Sequence, residues 1–146
     1  MPYTYQYPRP AVTTDIILIA KEKDCSYILL IERKFDPFKG YWALPGGFVE
    51  MDEDLDTACL RELKEETGIE SIDIKQFYTA GKVDRDPRGR TISVVYWAEI
   101  DHRIEYTPGD DAAKANWFSI KELPELAFDH QQIIDKFFQQ YATAQI

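Results

Sequence analysis

This 146-residue sequence has few cysteines, fewer basic than acidic residues and no long apolar run. The two cysteines, Cys25 and Cys59, are too few and too far apart for a disulfide framework or a zinc knuckle. Each stands in an apolar setting, so we expect buried free thiols. No apolar run approaches the roughly 20 residues that span a bilayer, and residues 1–10 do not resemble a secretory signal. We therefore expect a cytoplasmic protein with no membrane partner.

Basic residues are outnumbered, since 17 lysines and arginines face 26 aspartates and glutamates, giving a formal net charge of −9. The clustered positive charge of a nucleic-acid binder is missing, so we expect no nucleic-acid partner. An anionic small-molecule substrate would be repelled unless a cation or a local basic patch neutralised it. The contents of 45% hydrophobic and 14% aromatic residues exclude disorder and predict a single domain over residues 1–146.

Residue periodicity predicts several strands and two helices. The strands, predicted from β-branched and apolar content, are 11–20, 26–32, 72–80, 91–100 and 115–119. The first two are separated by a polar turn and are expected to pair as a hairpin. The last helix is predicted from about Asp129 to Tyr141. Strands interleaved with helices favour an α/β fold in which helices cover both faces of a mixed sheet.

The first predicted helix follows a Gly-Gly turn and carries a group of carboxylates. Asp52 is suited to be its N-cap and Gly68 its C-cap. Glu62, Glu65 and Glu66 crowd one patch, because the latter two lie three and four residues beyond the first. Such like charges destabilise a helix by about 0.2–0.5 kcal/mol per pair, unless a hard divalent cation binds them. The alternative is a solvated acidic face.

Residues 47–69 resemble the signature of the Nudix hydrolase family at every fixed position. That signature is a glycine, five residues, glutamate, seven residues, Arg-Glu, an aliphatic residue, any residue, Glu-Glu, any residue, glycine and an aliphatic residue. Leu63 and Ile69 stand at the two aliphatic positions. The resemblance implies a Nudix-type α/β/α sandwich with a mixed β-sheet between helices. It also implies a MutT-type, metal-dependent pyrophosphohydrolase.

The resemblance implies a metal site on this helix. Glu62 and Glu66 correspond to the principal metal ligands and Glu65 to a further or bridging ligand. The carbonyl of Gly47 often completes such a site. Mg²⁺ is the expected cofactor, with Mn²⁺ as a substitute, and the metal polarises phosphoryl oxygens and activates water.

The resemblance also implies the catalytic residues. Arg61 and Glu53 are eight residues apart, about two turns on one predicted helix face, so we expect them to form an ion pair. They correspond to a pair that orients the helix in the family, and Glu53 has the alternative of reaching a metal through water. The general base varies across the family, so it stays open here among Glu65, Glu66 and a loop carboxylate. Asp110–Asp111 offers such a loop carboxylate, with simple turn residues beside a glycine as the alternative.

Three segments are similar to ADP-ribose pyrophosphatase-like members: 44–50, which overlaps the start of the signature, and 84–88 and 123–130, which lie beyond it. The implied reaction is hydrolysis of ADP-ribose to AMP and ribose 5-phosphate, and such members often form homodimers. Pro87 stands near a proline that marks this preference in some members, although somewhat late. One alternative is a house-cleaning nucleoside triphosphate pyrophosphatase. A second is an ADP-ribose-type ligand sensor related to Nudix transcription regulators, which would need a DNA-binding segment, whereas this chain ends at Ile146.

Four arginines are candidates for binding the substrate's phosphates or terminal ribose, because guanidinium forks match phosphate geometry. They are Arg33, Arg85, Arg88 and Arg90. For each of them the alternative is a solvated loop or strand-end arginine. We expect His130, at the start of the last helix, to be a cap or packing residue rather than a catalyst.

Overall fold

The computed structural model describes residues 2–106 and 112–144, and its centre is a mixed sheet. Its strands are β1 (Ala11–Lys21), β2 (Ser26–Arg33), β3 (Trp42–Ala43), β4 (Gly46–Phe48), β5 (Lys75–Ala80), β6 (Thr91–Ile100) and β7 (Ala112–Ser119). Its helices are α1 (Leu55–Thr67) and α2 (His130–Ala144). Neither described helix is long and apolar enough to cross a membrane.

Strand β1 organises the sheet because it is hydrogen-bonded along both edges. One edge runs parallel to β6, from Ala11 opposite Thr91 to Ala20 opposite Ile100. The other edge pairs antiparallel with β2 near its C-terminal end and with β4 near its N-terminal end. The predicted β1–β2 hairpin is therefore confirmed. Where β1 changes partner from β2 to β4, the sheet opens into a cleft.

The two faces of β1 contribute to two separate cores, since successive side chains of a strand point to opposite faces. Ile16 packs with Leu63 of α1, and both are almost completely buried. Ile17 packs with Ile134 of α2 in the other core. The continuous apolar run in β1 is thus covered by a helix on each face, which is the expected α/β/α arrangement.

Helix α1 begins later than the sequence predicts. Its first residue is Leu55 and its N-cap is Asp54, which makes no side-chain capping bond, so the assignment of Asp52 as N-cap was wrong. The reason is a turn in which the Glu53 carboxylate accepts the backbone N–H three residues earlier at 2.9 Å. The C-terminal prediction is confirmed, because Gly68 adopts a left-handed φ of 76°.

Two further expectations were wrong. The strand predicted at 72–80 begins only at Lys75, since Ser71 has a left-handed φ of 61° and Ile72 packs into the α1 core. Cys59 is buried as expected, but Cys25 lies in the polar turn between β1 and β2 and is exposed.

Removing apolar volume from either core should destabilise the fold. We expect Leu63→Ala and Ile134→Ala each to lower the free energy of unfolding by about 2–5 kcal/mol, because both side chains are fully buried. Urea denaturation measures this loss. Val83→Ala is the control, since Val83 is 72% exposed and should change stability by no more than about 0.5 kcal/mol. Equal effects at all three positions would contradict the two-core arrangement.

Candidate active site

Arg61 on α1 gathers three carboxylates around one guanidinium. Its Nε and Nη2 donate to the two oxygens of Glu53 at 2.9 and 2.6 Å, so the expected ion pair is present. Glu53, however, lies in the turn before α1 and not on the helix face on which it was predicted. Its Nη1 donates to Glu62 at 3.0 Å and to Glu65 at 3.2 Å. Nη2 also donates to the carbonyl of Phe48 at 3.1 Å, which links α1 to β4. The hydrogen bonds from Arg61 lower the pKa of Glu53 to about 2.

Glu66 differs from its neighbours because it is buried. Only 6% of the residue is exposed, and its Oε1 accepts the Gly46 N–H at 2.8 Å. Burial raises the pKa of Glu66 well above its usual range, and the nearby Glu62 and Asp15 add to that effect. A buried carboxyl of this kind holds its proton unless a positive charge stands beside it.

The Gly46–Gly47 pair in β4 lets two polar groups approach the backbone closely. A β-carbon on Gly46 would lie 2.1 Å from the Thr14 carbonyl oxygen of β1. A β-carbon on Gly47 would lie 2.5 Å from Oε1 of Glu62. Gly46 is therefore needed for the sheet, whereas Gly47 makes room for a carboxylate.

These residues fit a divalent cation by their donor chemistry. Glu62, Glu65 and Glu66 offer carboxylate oxygens within about one helical turn, and Glu62 lies directly against the main chain of Gly47. Within residues 2–106 and 112–144 no three acidic, histidine or cysteine side chains stand close enough to hold a metal ion as they are placed. The carboxylates are turned instead toward Arg61 and the Gly46 N–H.

The opening beside β1 is a cleft of about 110 Å³. Acidic and basic side chains line it together, among them Glu66, Asp15, Arg33 and Arg88. Phe128 lines it as well. The cleft therefore joins the buried carboxylate of α1 to three of the four predicted arginines, since Arg85 lines it as well.

Arg33 and Arg88 lie against the same aromatic ring. Their guanidinium carbons are 4.8 and 4.9 Å from the centroid of Phe128. Arg88 is paired with Asp86 at 2.8 Å, while Nε of Arg33 donates to the Pro37 carbonyl. Burial and the neighbouring Arg88 lower the pKa of Arg33. Two cations are thus held close together at the cleft.

The other two predicted arginines are placed differently. Arg85 also lines the cleft, but its guanidinium donates to both oxygens of Asp129 at 2.8 and 2.7 Å and is 3% exposed. It joins the 82–90 loop to the start of α2. Arg90 is exposed, donates to the Gly81 carbonyl and is not part of the cleft lining.

Several residues that line the cleft were not predicted from the sequence, among them Asp15, Phe48 and Phe128. A signal existed for Asp15, because a charged residue within the apolar β1 run is unusual in a buried strand. Asp110–Asp111, named as loop carboxylates, lie outside the described residues.

The model of the NUDIX domain family matches residues 9–141. The chain belongs to the Nudix family. The predicted family and the Nudix-type α/β/α sandwich with its mixed β-sheet are both confirmed by this match and by the solved relatives described next.

Two curated relatives and one solved structure are similar to this chain. An ADP-ribose pyrophosphatase from Methanocaldococcus jannaschii is 47% identical over 90% of this chain and 75% of its own length. The ADPR responsive transcriptional repressor NtrR of Acinetobacter baylyi is 36% identical over 90% of this chain, which spans 54% of that protein. The NUDIX domain of Shewanella oneidensis NrtR, complexed with ADP ribose, superposes with a TM-score of 0.86 at 30% identity, covering 92% of this Nudix chain and 90% of that one.

Alanine at the two glycines of β4 should separate folding from function. We expect Gly46→Ala to destabilise this Nudix protein, because its β-carbon meets backbone of β1. Gly47→Ala should stay folded but lose hydrolytic activity, because its β-carbon displaces only the movable end of Glu62. Thermal melting and turnover measure the two effects. Gly81→Ala is the control, since a β-carbon there meets nothing within 4 Å; normal activity of Gly47→Ala would contradict the assignment.

The Glu53–Arg61 pair should make stability depend on acidic pH. The folded-state pKa of Glu53 is about 2 against 4.5 for the free group, so the stabilisation is fully present above pH 4.5. It is lost as pH falls through about 2. In Glu53→Gln, we expect the free energy of unfolding to fall less steeply than in wild type as pH is lowered from 4.5 to about 2. Denaturant titration at a series of pH values measures this difference. Glu70→Gln, at an exposed pair with Lys64, is the control; identical curves for wild type and Glu53→Gln would count against the pair.

Proposed function

We propose that this Nudix protein hydrolyses ADP-ribose to AMP and ribose 5-phosphate with a divalent cation. The observation that carries the proposal is that one cleft is lined by buried Glu66 and by the cations Arg33 and Arg88. Carboxylates suit a metal ion and guanidiniums suit phosphate, so the cleft matches both partners of a pyrophosphate hydrolysis. The 47% identity to an ADP-ribose pyrophosphatase and the likeness to an ADP-ribose-bound Nudix domain support this substrate.

The cation would be held by α1 and β4. We assign Glu62, Glu65, Glu66 and the Gly47 carbonyl as its ligands, with Mg²⁺ as the metal and Mn²⁺ as a substitute. When bound there, the cation supplies polarisation of the phosphoryl oxygens and makes water a stronger nucleophile. Arg61 keeps Glu62 and Glu65 in place, and the Gly46 N–H does so for Glu66. Glu65 and Glu66 are the candidates for accepting a proton from the attacking water.

The phosphates would bind at Arg33 and Arg88. No carboxylate among the described residues forms an ion pair with Arg33, whose Nε is held by a carbonyl oxygen. Its positive charge therefore lacks a paired carboxylate, and its contact with the Phe128 ring keeps it beside the cleft. An anion bound between the two guanidiniums would relieve their mutual repulsion, which favours a phosphate group over a neutral ligand.

The remainder of the substrate needs more space than the cleft provides. A second cavity of about 650 Å³ lies between the 82–90 loop and α2, and it shares Arg85 and Phe128 with the cleft. A pyrophosphate bound in the cleft can therefore extend one of its two ribose-bearing ends past Arg85. Arg90, exposed on the same loop, stays a candidate contact for the terminal ribose.

A ligand sensor is the second candidate function, favoured by the 36% identity to an ADPR responsive transcriptional repressor. Both candidates share the same ligand and differ in turnover. The complete set of signature carboxylates, Glu53, Glu62, Glu65 and Glu66, favours an enzyme, because binding alone does not require them all. The net charge of −9 supports the absence of a nucleic-acid partner. A cytoplasmic location and a homodimer are further parts of the proposal, the latter open to analytical ultracentrifugation.

A substrate panel tests the enzyme proposal directly. With Mg²⁺ or Mn²⁺ we expect turnover of ADP-ribose to AMP, followed by chromatography, and much slower turnover of NADH, nucleotide sugars and nucleoside triphosphates. ADP-ribose binding without hydrolysis would instead favour the sensor. Rapid hydrolysis of triphosphates alone would overturn the proposed substrate and favour a house-cleaning enzyme.

Glu66→Gln should lose activity without losing stability. We expect the rate to fall by more than about 100-fold, because even residues that only support metal ligands cost about 10–100-fold. Since the folded-state pKa of Glu66 is raised, its stabilisation is present at acidic pH and lost as pH rises through that pKa. In EDTA at pH 7 or above, Glu66→Gln should therefore melt no lower than wild type. Glu65→Gln is the comparison variant. A normal rate of hydrolysis by Glu66→Gln would contradict the assignment of Glu66 to the metal site.

A further inference from the structure

A buried polar side chain in the wall of the cleft is not used by the chemistry proposed above. His130, the first residue of α2, is 4% exposed, and its Nδ1 accepts the backbone N–H of Leu44 at 3.0 Å. Its Nε2 lies 3.9 Å from Oδ2 of Asp15 on β1. That same Asp15 oxygen accepts the hydroxyl of Ser93 on β6 at 2.5 Å. Elements distant in sequence thus meet at one imidazole.

The hydrogen bond from Leu44 determines how the imidazole is protonated. A ring nitrogen that accepts a backbone N–H carries no proton, so in the neutral ring the proton is on Nε2, which faces Asp15. Burial lowers the pKa of His130, in keeping with a neutral ring. Neither ring nitrogen is therefore free to take a proton from water in the cleft.

His130, Asp15 and Ser93 are also not arranged as a nucleophilic triad. In such a triad the serine is hydrogen-bonded to the histidine that removes its proton. Here Ser93 donates to Asp15 instead, and its side chain is completely buried. A direct attack by Ser93 on a substrate is excluded by that burial, which leaves a supporting role for the group.

The contact at Leu44 leads straight to the proposed metal site. Leu44 is followed by Pro45 and Gly46, and the Pro45 carbonyl accepts the Ile16 N–H at 3.0 Å. The next N–H, that of Gly46, holds Glu66 at 2.8 Å. His130 is thus attached two residues before the amide that orients the buried carboxylate. The proline between them restricts the backbone, so a shift at Leu44 is passed to Gly46.

We propose that His130 is a positioning residue for the hydrolysis, holding the Leu44–Gly47 backbone so that the Gly46 N–H directs Glu66 toward the cleft. This inference rests on the proposed function for its kinetic consequence, but its structural consequence can be measured separately. The important atom is Nδ1 of His130 as an acceptor. The Nε2 side, facing Asp15, fixes the orientation of the ring.

Two substitutions distinguish the ring atoms. Asparagine places its Oδ1 near the position of the histidine Nδ1, whereas glutamine places its Nε2 near the histidine Nε2. We expect His130→Gln to lower kcat by about 10–100-fold, as for other residues that orient metal ligands. KM should change far less, and His130→Asn should recover most of kcat. Gln131→Ala, at an exposed residue in the same turn of α2, is the control for the helix itself.

Hydrogen exchange of the Leu44 and Gly46 amides, followed by NMR on the full chain with Mg²⁺, gives a readout that does not need turnover. Protection of both amides should be retained in His130→Asn and lost in His130→Gln. Rescue by glutamine rather than asparagine, or a loss of kcat with unchanged protection, would overturn the inference. If wild type hydrolyses no nucleoside diphosphate compound while protection follows this pattern, the proposed function fails and the positioning of the loop stands.

Discussion

The proposed active site depends on how Arg61 compensates the like charges of neighbouring carboxylates on α1. Glu62 and Glu65 repel each other, and Arg61 makes their proximity tolerable by donating to both while it is held by Glu53. The same guanidinium donates to the Phe48 carbonyl, so the helix is fixed relative to β4. Because one cation balances three carboxylates, the cluster keeps a net negative charge. Such a charge is what the proposed divalent cation would neutralise, since Arg61 alone does not.

Glu66 adds a second constraint, which concerns the backbone. A buried carboxylate opposes folding, because its charged form has lost its water. The Gly46 N–H offsets part of this loss, and it can do so only because β4 lies against β1 closely enough to exclude a side chain. Burial of Glu66 thus lowers the stability of the fold, and a cation bound beside it would restore that stability. Such a loss of stability is common at functional sites. His130 extends the same constraint to α2 through the Leu44 N–H.

Strand β1 connects both constraints with the substrate side of the cleft. Its apolar side chains supply both cores, and its change of partner from β2 to β4 opens the sheet beside Asp15. The guanidiniums reach this opening from β2 and from the 82–90 loop, where Phe128 orders Arg33 and Arg88. The fold therefore brings the carboxylates proposed to bind a cation and the arginines proposed to bind phosphate together around one strand.

The sequence by itself determined the features that follow from local spacing. The positions of Arg61 and Glu53 predicted an ion pair, the carboxylates at i, i+3 and i+4 predicted a shared patch, and β-branched runs predicted most strands. It did not distinguish the four arginines, since only the tertiary structure pairs Arg85 with Asp129 and leaves Arg33 without a carboxylate partner among the described residues. The sequence marked Asp15 only as an unusual charge in an apolar strand and His130 only as a cap or packing residue, and it did not predict the contacts of either. Their contacts join β1, α2 and the β3–β4 turn, and no local pattern encodes a distance between separate elements.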